Sequence, residues 1–420
     1  MIEIKPFRAF FYNQQKVKDL SKVVCPPYDV ISPKQQDAYY KQSDYNFIRA
    51  LLSKEKNPDN ATDNKYTRAQ EVFEKWIRDQ ILIQDEKPCI YFYMQKYRVM
   101  GVKYKRMGFI SLMKLQDPKG SKVYPHERTH ARAKEDRLKL WDMLSANLSS
   151  IFVCYSDKQK KVTKIFTDHV LPQKPLIDII DSEGVEHTVW RLADPKLIKE
   201  ISQSLQDQQL FIADGHHRYE VARELSRIKR GMKKKGGGSS YDYLMTYFTD
   251  MDSRELRIFP IHRVIKKLSA KLDFLEECFR IDKVKSKESL TVLLAKAGKN
   301  EYAFGLYTPA GLRLLRLKNK MLIDKHVTEG SKAFRHLDAT ILKNFILDKV
   351  SVVSEDIFYT KDVDEAIEMV DKKKAAASFI MNPVGIQQLR EIALNGERMP
   401  PKTTYFYPKV LSGLTIYKME

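Results

Sequence analysis

Asp214-Gly215-His216-His217-Arg218 gathers a carboxylate, a glycine, two imidazoles and a guanidinium into five consecutive residues. Before it, Leu210-Phe211-Ile212-Ala213 is an apolar run suited to a buried strand; after it, Val221, Leu225 and Ile228 recur at helical spacing. His216, His217 and Arg218 therefore fall at a helix N-terminus. Unpaired backbone N–H groups and the positive end of the helix dipole there favour a phosphate or carboxylate. Gly215 lets an anion approach the backbone, and Arg218 carries a bidentate fork. The structural alternative makes Asp214 an N-cap and the histidines exposed helix residues. Adjacent His216 and His217 do not by themselves define a metal site, because consecutive helical side chains diverge.

A second constellation is His126-Glu127-Arg128-Thr129-His130, which spells H-E-x-x-H. On a helix, that spacing puts two histidines on one face to hold zinc while the glutamate activates water, the arrangement of a zinc hydrolase. The context opposes it. The motif follows Pro125 and runs into Ala131-Arg132-Ala133-Lys134-Glu135-Asp136-Arg137, a charged stretch where an apolar helix is usual, and the longer H-E-x-x-H-x-x-G-x-x-H form is absent. The same residues read better as a polar cluster ahead of an amphipathic helix, competing with a plain salt-bridged helix start. No metal ligands are assigned.

These segments need elements to hold them. From Lys65 to Gln80, Ala69, Val72, Phe73, Trp76 and Ile77 recur at spacings of three and four, which predicts a helix with one buried face. Cys89 to Leu115 predicts two or three antiparallel strands, and Leu138, Trp141, Leu144 and Leu148 a helix. Ser150 to Tyr155 predicts a buried strand, Tyr302 to Leu317 a hairpin turning at Pro309-Ala310-Gly311, and Ala333 to Val350 a helix. The alternation implies a mixed α/β protein. A basic Gly/Ser loop, residues 229–240, is the clearest break. It divides an N-terminal α/β region, 1–235, carrying both motifs from a C-terminal α/β region, 241–420.

The chain has 420 residues, 43% hydrophobic, which excludes disorder as its dominant state. Its 74 Lys and Arg against 54 Asp and Glu leave a net charge of +20. That charge invites nucleic acid, but the cations are dispersed, no helix-turn-helix is visible, and the densest run, Arg227 to Lys235, leads into glycines. Nucleic acid is therefore disfavoured as a partner. Four scattered cysteines form no CxxC pair, which points to a reducing compartment. No secretory apolar run opens the chain, and no stretch approaches the roughly 20 apolar residues that span a bilayer. A cytoplasmic protein with no membrane partner is expected.

Several separated segments together resemble the family filed as domain of unknown function 1015. They are Lys5-Pro6-Phe7-Arg8, Pro26-Pro27-Tyr28-Asp29-Val30-Ile31, Tyr45-Asn46, His126-Glu127 with Thr129, Glu135-Asp136-Arg137, Asp214 to Tyr219, and Met399 to Thr404. The resemblance covers essentially the whole chain, and its HExT pattern stops at Thr129, so His130 completes H-E-x-x-H by accident. More narrowly, strand, D-G-H-H-R-Y and helix look like the phosphate-binding segment of the ParB and sulfiredoxin superfamily, which includes free-serine kinases. Where sulfiredoxin places its cysteine this chain has His216, and sulfiredoxin chemistry is not implied. The resemblance implies a ParB/sulfiredoxin-like nucleotide-binding core with additional β-hairpins and a C-terminal α/β portion, ATP or ADP with Mg2+, and phosphoryl transfer to serine or a similar small hydroxy acid. Gly215, His216, His217 and Arg218 would hold nucleotide phosphate. Asp214 or Glu127 would act as base or metal ligand, with His217 also in the catalytic group. Tyr28, Asp29, His126, Thr129, Arg137 and Lys402 would bind substrate, Arg137 or Lys402 clamping its carboxylate. The rival reading is a regulatory protein that binds a small anionic ligand without turnover.

Overall fold

A computed structural model describes residues 1–232, 239–270 and 272–419. Lys233 to Gly238, the heart of the expected basic Gly/Ser loop, lie outside the described residues. The chain forms two compact units: Met1–Pro125 with Thr129–Leu256 and Pro408–Glu420, and His126–Arg128 with Arg257–Tyr407.

The first unit is built on a nine-stranded sheet. Its strands are β1 (Ile4–Lys5), β2 (Ile90–Val99), β3 (Val102–Lys114), β4 (Val123–Tyr124), β5 (Ile151–Tyr155), β6 (Ile177–Ile180), β7 (Glu186–Leu192), β8 (Leu210–Asp214) and β9 (Tyr243–Asp250). The order is β4-β8-β5-β9-β3-β2-β7-β6, with β1 beside β3. The β8–β4 and β9–β5 pairs are parallel and the others antiparallel, so the sheet is mixed. Central strands such as β5 are buried along their length, as expected where both faces are covered. Phe109 stacks on its cross-strand partner Phe248 at 4.9 Å, and Phe92 stacks at 5.0 Å on Phe166 of a helical segment over the sheet.

Three helices matter for the site. The helix α1 (Lys65–Arg78) starts at a capping box, with Asn64 accepting from the N–H groups of Tyr66 and Thr67, and buries Ala69, Phe73 and Trp76. The helix α2 (Ala131–Leu144) buries Leu140, Trp141 and Leu144. The helix α3 (His216–Met232) follows β8 directly and buries Tyr219, Val221, Ala222 and Leu225.

The second unit has a six-stranded, fully antiparallel sheet of β10 (His262–Ile265), β11 (Phe279–Lys283), β12 (Ala303–Thr308), β13 (Gly311–Leu317), β14 (Ile357–Thr360) and β15 (Ala377–Ile380). Its order is β11-β13-β12-β15-β10-β14. One apolar cluster includes Val264, Leu290, Leu294, Ala366 and Val370; the other includes Ile265, Phe304, Ile341 and Phe345. The helix expected over Ala333 to Val350 is broken: helical residues Lys332–Arg335 stop before His336, and Asp338–Leu342 passes into wider and tighter turns to Val350.

Candidate functional site

The strand β8 delivers Asp214 at its C-terminal end, and Gly215 then takes φ +93°, a left-handed conformation that suits glycine. A methyl group on Gly215 would meet Ile151 Cγ2 at 2.9 Å and Arg218 Nε at 3.0 Å. The guanidinium of Arg218 thus folds back over this glycine and under the first turn of α3. Its Nη1 donates to Ser149 Oγ at 3.1 Å and to the Ser150 carbonyl, and its Nη2 donates to Asp214 Oδ2. The side chain is only 2% exposed.

Asp214 Oδ1 accepts from Lys409 Nζ at 2.5 Å. Burial alone would raise its pKa, but Lys409 and Arg218 overcome that and hold the carboxyl well below the usual carboxylate range. Asp214 thus holds two cations, Arg218 and Lys409, beneath a helix start that is itself positively polarised. His216 is buried and within electrostatic reach of Asp214.

The other side of the first turn is held by the segment entering α2. The backbone N–H of His130 donates to His217 Nε2 at 2.9 Å, with the two rings 5.9 Å apart and 22° from parallel. Thr129 Oγ1 and Lys134 Nζ both donate to Glu220 Oε2, at 2.7 and 2.9 Å. Burial works against ionisation of Glu220, yet these donors keep its pKa lowered.

The helical face that H-E-x-x-H requires does not exist. His130 has extended backbone, φ −101° and ψ 134°, and α2 begins only at Ala131. Glu127 instead forms a parallel bridge to Met399 within the second unit. There Glu127 Oε1 accepts from the Lys402 backbone N–H at 3.0 Å, and His126 Nε2 lies 3.1 Å from Thr404 Oγ1. Lys402 is in the left-handed region, φ +53°, so that its N–H turns toward the carboxylate. Among the described residues no group of three His, Cys, Asp or Glu side chains could hold a metal ion.

Tyr28 and Asp29 begin a short turn after Pro27, with Asp29 exposed. Arg137 is 3% exposed, and its guanidinium sits 4.3 Å from the Tyr28 ring centroid. It also donates to Asp136 Oδ2 and the Leu51 carbonyl. Burial first, and then Asp29, pushes the Tyr28 hydroxyl up to about 12, while Arg137 and Arg218 pull against them. Tyr28, Arg137, Asp214 and Arg218 are thus one electrostatic neighbourhood in the first unit, whereas His126, Glu127 and Lys402 form a cluster in the second.

Residues 4–340 match the family described as Protein of unknown function (DUF1015). The chain belongs to that family. In this DUF1015 protein the match takes in Tyr28, Glu127, Arg137 and Asp214 to Arg218, while Lys402, Thr404 and Lys409 lie beyond it. No curated protein matches the chain. Among solved structures it is similar to a conserved hypothetical protein from Pyrococcus furiosus, with 14% identity, 69% of this chain and 89% of that one covered, and TM-score 0.34. It is similar to free serine kinase in complex with AMP, at 12% identity, 71% and 88% coverage and TM-score 0.35. SbnI with C-terminal truncation from Staphylococcus aureus gives 10% identity, 72% and 85% coverage and TM-score 0.38. None of these likenesses assigns a reaction.

Sequence reasoning missed Lys409. Its signal is a lone lysine in a tail whose neighbours Pro408 and Val410 are buried. Gln95 Nε2 donates to the Lys409 carbonyl at 2.8 Å and Arg106 Nη2 to that of Pro408 at 2.6 Å, so strands β2 and β3 fix the segment that carries the amine.

Proposed function

We propose that the first turn of α3 binds the phosphate of a nucleotide, ATP or ADP with Mg2+, and that the protein transfers a phosphoryl group to serine or a similar small hydroxy acid. The observation that supports this most is the Asp214–Arg218–Lys409 cluster, which sets two cations under the N-terminus of a 17-residue helix. Gly215, His216 and His217 would face the phosphate. Arg218 and Lys409 would supply charge from beneath, and Asp214 would fix both cations. Phosphoryl transfer depends chiefly on such positioning and charge neutralisation. On this reading β8, Gly215 and α3 make a ParB/sulfiredoxin-like core. A carboxylate as acidic as Asp214 is a weak proton acceptor, so on this reading it holds the cations rather than taking the proton. Tyr28, Asp29, Thr129 and Arg137 of the same unit are proposed substrate contacts.

Calorimetry with ATP, ADP and CTP tests the first part: at least one should bind, and Lys409→Met should weaken it by about tenfold, the scale of one charge-assisted hydrogen bond. A folded protein that binds none of them overturns the reading. Assay of phosphoserine from serine tests the second part, which a folded, nucleotide-binding protein that forms none overturns. The acidity of Asp214 favours one alternative, a protein that binds an anionic ligand without turnover. It predicts nucleotide affinity with no product.

A further inference from the structure

The two longest strands of the first sheet outrun their neighbours. The strand β2 pairs with β7 only as far as Lys96, and β3 pairs with β9 only from Gly108, so between these points the two continue as a two-stranded ribbon. Its turn, Met100-Gly101, has φ +49° and +80°. Asn-Gly or Gly-Gly is usual there, and methionine is strained. Met100 is 85% exposed and Val102 is 54% exposed.

Behind this apolar tip the register sets Lys96 opposite Lys105 and Arg98 opposite Lys103. Four cations therefore form two like-charged cross-strand pairs on one face, an arrangement that destabilises a hairpin. Glu186 answers Lys96 at 2.7 Å. Arg98, Lys103 and Lys105 have no acid within ion-pair distance among the described residues. The opposite face carries Tyr97, Val99, Val102 and Tyr104, with the tyrosine rings stacked at 5.6 Å.

We infer that this hairpin docks tip-first on the surface of an anionic lipid bilayer. Arg98 and Lys103 stand two residues behind the turn, about 7 Å along the strands. A tip buried roughly 5–10 Å, the usual depth of interfacial segments, sets both cations at the level of lipid phosphates. Each cation adds attraction to an anionic leaflet, and the net charge of +20 adds to it at longer range. The expectation of no membrane partner rested on the lack of a spanning segment, and a hairpin docked on the surface needs none. Single-stranded nucleic acid fits less well: it calls for exposed aromatic rings on which bases can stack, whereas Tyr97 is 3% exposed and Tyr104 is half-buried with its ring stacked on Tyr97.

Flotation of the full-length protein with phosphatidylcholine vesicles, with or without phosphatidylserine, is the test. Binding should be at least about tenfold tighter to the anionic vesicles and should weaken as salt is raised. Met100→Asp, which suits the positive φ, and the double variant Arg98→Glu with Lys103→Glu should each lower it by about tenfold while melting temperature and nucleotide calorimetry stay unchanged. The inference is overturned if neither vesicle is bound, if Met100→Asp binds like the parent, or if nucleic acid binds more tightly and independently of Met100. Calorimetry reads the α3 site separately, so failure of one proposal leaves the other standing.

Discussion

Asp214 illustrates how a residue's neighbours select among its possible roles. As an isolated side chain at a strand end it could cap a helix, accept a proton or bind a metal. With one oxygen on Lys409 and the other on Arg218, it is held ionised and acts as the counter-charge of two buried cations. Asp214→Asn should therefore destabilise the protein by about 3–5 kcal/mol, the usual cost of breaking a buried charge pair from one side, read as a fall in melting temperature. The pH dependence follows from the lowered folded pKa. Asp214 stabilises fully above the unfolded value of about 4, and that contribution is lost as pH falls through and below it. Asp136, which burial would raise but Arg137 and Lys65 bring down to about 2, acts in the same sense. Thermal melts should lose stability between about pH 4 and pH 2, with a shallower slope in Asp214→Asn. Asp214, Gly215 and the adjacent histidines were legible because strand, turn and helix signals converge on consecutive residues. Lys409 was not, because its contact spans 195 positions, and the inward turn of Arg218 was not, because a rotamer leaves no trace in spacing.

At the scale of elements, periodicity did well where one face is buried. The predicted helix over Lys65 to Gln80 exists as α1, and the aromatic run from Cys89 resolves into β2 and β3. The hairpin at Tyr302 to Leu317 is present as β12 and β13. The stretch from Ala333 was read as a single helix because its apolar spacing continues, whereas the backbone breaks at His336 and widens after Leu342. Gly108 leaves no such periodic trace. It is in fact a close approach inside β3: an added Cβ would lie 2.3 Å from the Phe248 carbonyl and 2.5 Å from the Tyr247 ring. Gly108→Ala should cost about 1–3 kcal/mol by overpacking, measurable by denaturant unfolding, whereas Gly184→Ala, in open space at φ +77°, should cost only the strain of its backbone.

Across the whole molecule, dispersed charge and discontinuous units carry the argument. The net charge of +20 has no readout module to explain it. Most of it is dispersed along the chain, and only a few of its cations lie beneath α3 or along the β2–β3 ribbon. The first unit is assembled from three stretches of chain, the last being Pro408–Glu420. That tail buries Val410, Leu414, Ile416 and Met419 and bonds Phe10 N–H to the Ile416 carbonyl. A chain ending at Tyr407 should lose the cooperative melt of the first unit, followed by near-ultraviolet circular dichroism, because it lacks both these apolar contacts and the partner of Asp214. The same tail has a consequence for synthesis. Since the final stretch of the first unit is the last to be made, the amino-terminal strands cannot complete their core while the ribosome is still translating the second unit. At roughly 5–20 residues per second, they wait many seconds for it with apolar surface uncovered. The second unit, nearly all of it contiguous from Arg257 to Tyr407, is thus the part whose chain is complete first.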